Sequence, residues 1–244
     1  MPSVLYEGML APVAPLSFTG ALWYQGEQNS DRGFQYRRLL PVMIADWRSL
    51  FGQGDFPFYI VSLPAFQHRS ETPTDDSWAE TRESQALAAA SVPNSCLAVT
   101  IDTGDPDNIH PKDKLPVGER LALCALGKQY GKNVAYSGPT LASVEHLPDS
   151  IRLRFANTDG GLVMKGAKLE ELAIAREDRK WYWADAHIEG NTVIVSPPSV
   201  PNPKAVRYAW QSNPGATLFN GAGLPAVPFR TDTWPGVTEG HRPY

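Results

Sequence analysis

The sequence predicts an α/β fold followed by a β-rich unit, and two features of the chain carry that expectation. Between Phe18 and Tyr130, short apolar runs alternate with longer helix-like stretches. That is the grammar of a parallel sheet covered by helices. Beyond about residue 137 polar and apolar residues alternate one by one instead, as in antiparallel strands with one wet face. The division expected is therefore an α/β domain over 1–136 and a β-rich domain over 137–244.

Taken in order, residues 1–17 hold Pro2, Gly8, Pro12 and Pro15, an irregular lead-in or a short helix around Gly8–Leu10. The run Phe18 to Gln25 reads as a strand buried on both faces, as parallel sheets require. Phe34 to Phe51 has Leu39, Leu40, Met43, Ile44, Trp47 and Leu50 at helical spacing, with Pro41 marking a kink or a helix start. Phe56 to Leu63 is the second strand, and a polar loop from Gln67 to Ser77 carries His68 and Arg69. Trp78 to Ser91, rich in Ala and Leu, is the second helix; Cys96 to Ile101 is the third strand and Val117 to Tyr130 the third helix. In the second part Ser150 to Phe155, Trp181 to Ile188 and Asn191 to Val195 read as strands. Glu189-Gly190-Asn191 is a hairpin turn between the last two, and the proline-rich piece Ser196 to Pro203 is a connector.

Composition narrows the function. The 244 residues are 42% hydrophobic and 20% charged, ordinary values for a chain with a sizeable core. A net charge of -4 and a pI near 5.7 exclude the basic face that a nucleic-acid partner needs. No apolar run approaches the roughly 20 residues that span a bilayer, so no membrane partner is expected. Met1 to Tyr6 lacks a basic patch followed by an apolar stretch, so it does not read as a signal peptide. Cys96 and Cys124 read as small buried hydrophobes; a disulfide between them is possible, but the sequence does not support it.

The chemistry-bearing stretch is Asp105 to Lys114, between the third strand and the third helix. A histidine in a loop at the carboxyl end of a strand sits where open α/β sheets process ligands. Asp107 lies three residues before His110. A carboxylate at that spacing can fix the imidazole tautomer and leave the other ring nitrogen free as a base. A loop turn with a solvated histidine is the competing reading. The first strand ends in a dense polar patch, Gln25-Gly26-Glu27-Gln28-Asn29-Ser30.

Five blocks together resemble one family. They are Trp23-Tyr24-Gln25-Gly26-Glu27-Gln28-Asn29, Pro57-Phe58-Tyr59, Trp78-Ala79-Glu80-Thr81-Arg82, Asn108-Ile109-His110-Pro111-Lys112-Asp113-Lys114 and Leu224 to Asp232. In that order they resemble the sialate O-acetylesterases, a carbohydrate-esterase branch of the SGNH hydrolases. The resemblance implies a flavodoxin-like α/β core and removal of acetyl groups from sugar hydroxyls by a serine assisted by an Asp–His pair. It implies His110 as general base, Asp107 as its orienting partner, and Gln25, Gly26 and Glu27 as the block lining the oxyanion and substrate site. An acetylated sugar is the implied substrate, and no cofactor or metal is implied. The family resemblance suggests a periplasmic, secreted or lysosomal compartment; the residues themselves assign none.

The chain also departs from the family. The Gly-Gln-Ser-Asn block that carries the nucleophile, and the glycine pair that follows it, are absent, so the nucleophile is unassigned. The resemblance begins at the family's carboxyl-terminal half, and the core is expected to lack its first strands. Gln211-Ser212-Asn213 reads as a chance look-alike, and Ser30 is not assigned the role. A homo-oligomer, or pairing with a serine-bearing segment, is expected to cover the exposed first strand. The alternative function is a non-catalytic remnant that keeps a carbohydrate pocket.

The remaining candidates have structural readings. Glu27, if buried, needs a partner such as Arg82 or Lys114. His68 and Arg69 read as a solvated loop. His146 and His187 have no Cys or carboxylate at metal-ligand spacing. Trp181 and Trp183 fall on one side of a strand, which suits a sandwich core better than an open sugar platform.

Overall fold

The computed structural model describes residues 3–196 and 201–241, so the middle of the expected Ser196 to Pro203 connector lies outside the described residues. The first part is a three-stranded parallel sheet of β1 (Ala21–Trp23), β2 (Phe58–Val61) and β3 (Ser95–Ala98), in that order across the sheet. Helix α1 (Gly33–Phe51) joins β1 to β2, α2 (Ser77–Ser91) joins β2 to β3, and α3 (Leu115–Cys124) follows β3. Central β2 is buried at all its positions, because both neighbours and the helices cover it. The four-residue spacing of Tyr36, Leu40 and Ile44 lays one stripe of α1 against Phe56, Phe58 and Ile60. Helix α1 runs through Pro41 and ends at Gly52, whose φ of 62° is the left-handed conformation glycine tolerates after a helix.

Strand β1 differs from expectation. Only three residues of Phe18 to Gln25 are strand, and Leu22 is 64% exposed rather than buried. The order β1-β2-β3 leaves β1 at the sheet edge, with one side unpaired among the described residues. Before it, Tyr6–Leu10 and Ala11–Val13 form two short helical turns with no buried residue.

The cysteines also differ. Both are buried, but they are bonded to each other. Helix α3 packs on β3 and brings the two Cα atoms to 6.0 Å, well within bridging range. Sequence spacing does not reveal that contact.

The second part is antiparallel. One sheet has the order β4-β5-β10-β9, from β4 (Thr140–His146), β5 (Ile151–Ala156), β9 (Asp185–Glu189) and β10 (Thr192–Ser196). A second has the order β13-β11-β7-β8, from β7 (Leu172–Ala175), β8 (Trp181–Trp183), β11 (Ala205–Tyr208) and β13 (Phe229–Arg230). The pair β6 (Leu162–Met164) and β12 (Leu218–Asn220) stands apart. Ile151, Leu153, Val193 and Val195 of the first sheet share a core with Leu172, Ile174, Val206 and Tyr208 of the second. That is a two-layer sandwich. Val99 and Ile101, just past β3, enter the same core.

The β9–β10 hairpin turns at Gly190 as its sequence predicts. The expected single strand Trp181 to Ile188 is instead two. The chain leaves one sheet at Ala184, whose amide donates to the Leu172 carbonyl, and joins the other as β9. Trp181 and Trp183 lie outside the sandwich core, half-buried, with the Arg207 guanidinium 4.2 Å from the Trp181 ring centroid.

Candidate active site

The segments following β1, β2 and β3 gather at the carboxyl end of the parallel sheet, as the order of elements requires. After β1, the Gln25 side chain is held at both ends. Its Oε1 accepts from the Tyr36 hydroxyl at 2.7 Å, and its Nε2 donates to Asn29 Oδ1 at 2.7 Å. The Tyr36 oxygen accepts in turn from the Trp23 indole at 3.0 Å. Burial pushes the Tyr36 phenol up to about 12, so it remains a donor throughout the neutral range. The Gln25 carbonyl accepts from Gln85 Nε2 at 2.9 Å, which fixes the backbone as well. Gly26 follows at φ 150°, and a Cβ there would lie 2.9 Å from Gln85 Nε2, so a larger residue would push the segment off α2.

The segments after β2 and β3 are laced together. The Ala65 amide donates to the Thr103 carbonyl at 2.9 Å, and the Gln67 amide to the Pro106 carbonyl at 3.1 Å. Gly104 passes so close that a Cβ would clash with the Ala65 carbonyl. The His110 loop is therefore pinned at its near end. Its tip is open: His110 is exposed, and its amide donates to Asn108 Oδ1 at 2.9 Å. The Asp107 carboxylate faces His68 at 3.8 Å, with both side chains more than three-quarters exposed. A contact between Asp107 and the His110 ring is not among the hydrogen bonds or ion pairs of the described residues.

A cleft of about 690 Å³ opens here. Glu27 and Ser30 line it from the β1 side, Phe66 and Trp78 from the β2 side, Ile109 from the His110 loop, and Ser212 from the second part. Thus Glu27 and the neighbour of His110 share a cleft. Gln25, half-buried beside Glu27, has its side chain between Tyr36 and Asn29. Gln25 and His110 follow strands separated by β2, so they stand on flanking rather than adjacent strands.

Helix α2 organises the cleft through a buried polar face that apolar periodicity does not detect. Arg82 is wholly buried and donates to four carbonyls, those of Leu63, Pro64, Gln211 and Ser212, at 2.6 to 2.7 Å. It is therefore not the partner of Glu27, for which the described residues provide no ion pair. Lys114 is not that partner either, its ammonium lying 4.9 Å from the Tyr24 ring centroid. Glu80 accepts from the Thr238 amide at 3.1 Å, Ser84 donates to Gly33, and Trp78 to the Pro64 carbonyl. The signal available in the sequence was the unusual density of polar residues in Trp78-Ala79-Glu80-Thr81-Arg82-Glu83-Ser84-Gln85.

Three serines line the cleft, Ser30, Ser77 and Ser212, and two of their hydroxyls are engaged. Ser212 donates to Asp76 Oδ2 at 2.8 Å, and Asp76 also caps α2 by accepting from the Ala79 amide. Ser30 donates to the Glu27 carbonyl at 2.8 Å. Arg69 is exposed, as its loop suggests, but also engaged: it binds Glu170 at 2.7 Å and the buried Glu171.

Comparison with known proteins places the chain in a family. The family described as "carbohydrate esterase, sialic acid-specific acetylesterase" matches residues 3–128. The sialate O-acetylesterases of Mus musculus and Homo sapiens are each 31% identical, over 93% and 96% of this chain but only 47% and 50% of their own lengths. The crystal structure of a carbohydrate acetylesterase from Xanthomonas citri superposes with a TM-score of 0.90 at 38% identity, over 96% of this chain and 55% of that one. The chain spans about half the length of the curated relatives it matches. On the match over residues 3–128, it belongs to the carbohydrate esterase family of sialic acid-specific acetylesterases.

Proposed function

We propose that this chain forms the histidine-bearing part of a carbohydrate O-acetylesterase, with an SGNH-type core whose first strands it does not contain. The observation that carries the reading is the convergence of the His110 loop and the Gln25–Glu27 segment at the carboxyl end of one parallel sheet. We read residues 1–136 as the α/β unit and 137–244 as the β-rich unit that buttresses it.

In this reading His110 takes the proton of a serine hydroxyl as the serine attacks the acetyl carbonyl, then returns it to the departing sugar hydroxyl. Water, deprotonated by the same imidazole, then releases acetate. One Nε2 hydrogen of Gln25 is used by Asn29, and the other is the donor for charge developing on the carbonyl oxygen. Asp107 orients His110 after leaving His68, a movement that an exposed loop tip permits. In this reading the serine comes from a segment paired with β1, since the family's Gly-Gln-Ser-Asn block does not occur in this sequence.

The test is turnover of p-nitrophenyl acetate by the chain as it stands and by His110→Ala. A slow rate above buffer that His110→Ala abolishes supports the reading. Efficient turnover indifferent to His110 would overturn it. A second reading, a carbohydrate-binding remnant without catalysis, draws on the pairing of Asp107 with His68 rather than His110. It predicts no rate above buffer in either protein.

A further inference from the structure

A second cavity, of about 470 Å³, lies in the seam between the loop 67–76 and strands β7 to β9. That volume is in the range of small-molecule sites. The loop is a wall common to both cavities: Gln67, Asp75 and Asp76 face the cleft beside Ile109, while Arg69, Ser70 and Glu71 face the second cavity. The wall is firmly held. Arg69 bridges Glu170 and Glu171, the Ser70 amide donates to Gln211 Oε1 at 2.7 Å, and the Trp183 indole donates to the Glu71 carbonyl at 2.7 Å.

The space exists because Ala184 and Ala186, where the chain changes sheets, have no bulk to fill it. Trp183 bounds it, with the indole orientation set by the bond to Glu71. Lys168, Glu71 and Asp185 supply polar groups, and among the described residues none of the three is in an ion pair. An aromatic wall beside small residues, with hydroxyl-binding groups at the rim and a slight acidic excess, suits an uncharged polyol ring. A sugar ring presents an apolar C–H face to an indole and hydroxyls to its edge. A carboxylate or sulfate would meet two acids for one free ammonium.

We propose that this cavity is a saccharide subsite, in which Trp183 stacks on an unacetylated, neutral unit of the glycan whose acetyl ester occupies the cleft by His110. The proposal rests on the esterase reading for its connection to the cleft. Its substrate is accordingly an oligosaccharide rather than a single sugar.

The test is isothermal titration of the whole chain with neutral xylohexaose, cellohexaose and mannohexaose, and with sialyllactose as an anionic comparison. At least one neutral hexasaccharide binds, and Trp183→Ala weakens it by about tenfold or more, the loss of a well-packed aromatic contact. The double variant Lys168→Ala with Asp185→Ala, both exposed, weakens it by a smaller factor and serves if Trp183→Ala does not fold. The proposal falls if no neutral hexasaccharide binds, if sialyllactose binds more tightly, or if the folded variants bind unchanged. Binding without ester hydrolysis would count against the esterase reading alone, and hydrolysis without binding against the subsite alone.

Discussion

Cys96 on β3 and Cys124 at the end of α3 are joined across a sequence separation of 28, and the loop they close contains both Asp107 and His110. Chain-entropy reasoning assigns a closed loop of that length about 3 to 4 kcal/mol of stabilisation. The variant Cys96→Ala with Cys124→Ala should lose about 3 kcal/mol in denaturant unfolding, and amides of residues 102–114 should exchange faster. Unchanged stability and exchange would mean the bridge does not restrain the loop.

Tyr24 and Tyr36 bear on alkaline stability. Burial pushes both phenols up to about 12, and burial raises Tyr208 as well. A raised folded-state value means the native protein holds these protons more tightly than the unfolded chain does. Their contribution is intact below the ordinary tyrosine value of about 10 and is lost as pH rises towards about 12. The melting temperature should fall across that interval alongside the tyrosinate absorbance, and Tyr36→Phe should blunt the fall. The same variant frees Gln25 Oε1 and should lower ester turnover more than it raises KM.

Arg82 is the residue whose loss the fold should tolerate least. Burial holds its guanidinium down at about 10, still charged at neutral pH. Arg82→Ala takes a donor from four buried carbonyls and leaves those of Leu63 and Gln211 with none, at roughly 1–3 kcal/mol each, a large share of a typical stability of about 5–15 kcal/mol. Arg82→Lys keeps the charge but not the planar fork, and should lose at least about 2 kcal/mol. Chemical denaturation measures both. A lysine variant as stable as the parent would show that charge, not geometry, matters there.

Ser212→Ala should cost about 1 kcal/mol, the worth of one hydrogen bond to Asp76, and leave ester turnover unchanged. A loss of turnover without a loss of fold would make Ser212 the nucleophile.

The bare edge of β1 should make the chain associate. Leu22 on that strand and Leu5, Met9 and Leu16 before it are each more than 60% exposed. Unpaired apolar edges template strand pairing. Light scattering at low micromolar concentration should report a species larger than 26.8 kDa, and Leu22→Lys should shift it towards the monomer. A parent that is monomeric throughout would refute this.

The sequence was most legible where structure is local. The parallel series of strands, the stripe Leu40–Ile44 and the Gly190 hairpin follow from period and turn chemistry, which neighbouring residues settle among themselves. His110 was singled out by its place in a loop after an apolar run, and Gln25 by the family resemblance of its block. Less was legible in α2, whose packed side is polar, so counting apolar residues passes over its most buried arginine. The break at Ala184 was hidden because the same alternation serves two sheets.

By itself, then, the sequence determined the mixed α/β class and the alternation of strands and helices in the first part, since those depend on side chains a few positions apart. Tertiary structure decided the disulfide, the exposure of β1, the pairing of Asp107 with His68 and the four carbonyls around Arg82. Each of these depends on segments brought together from separate parts of the chain, up to 130 residues apart for Arg82 and Ser212, and no local pattern encodes which ones will meet.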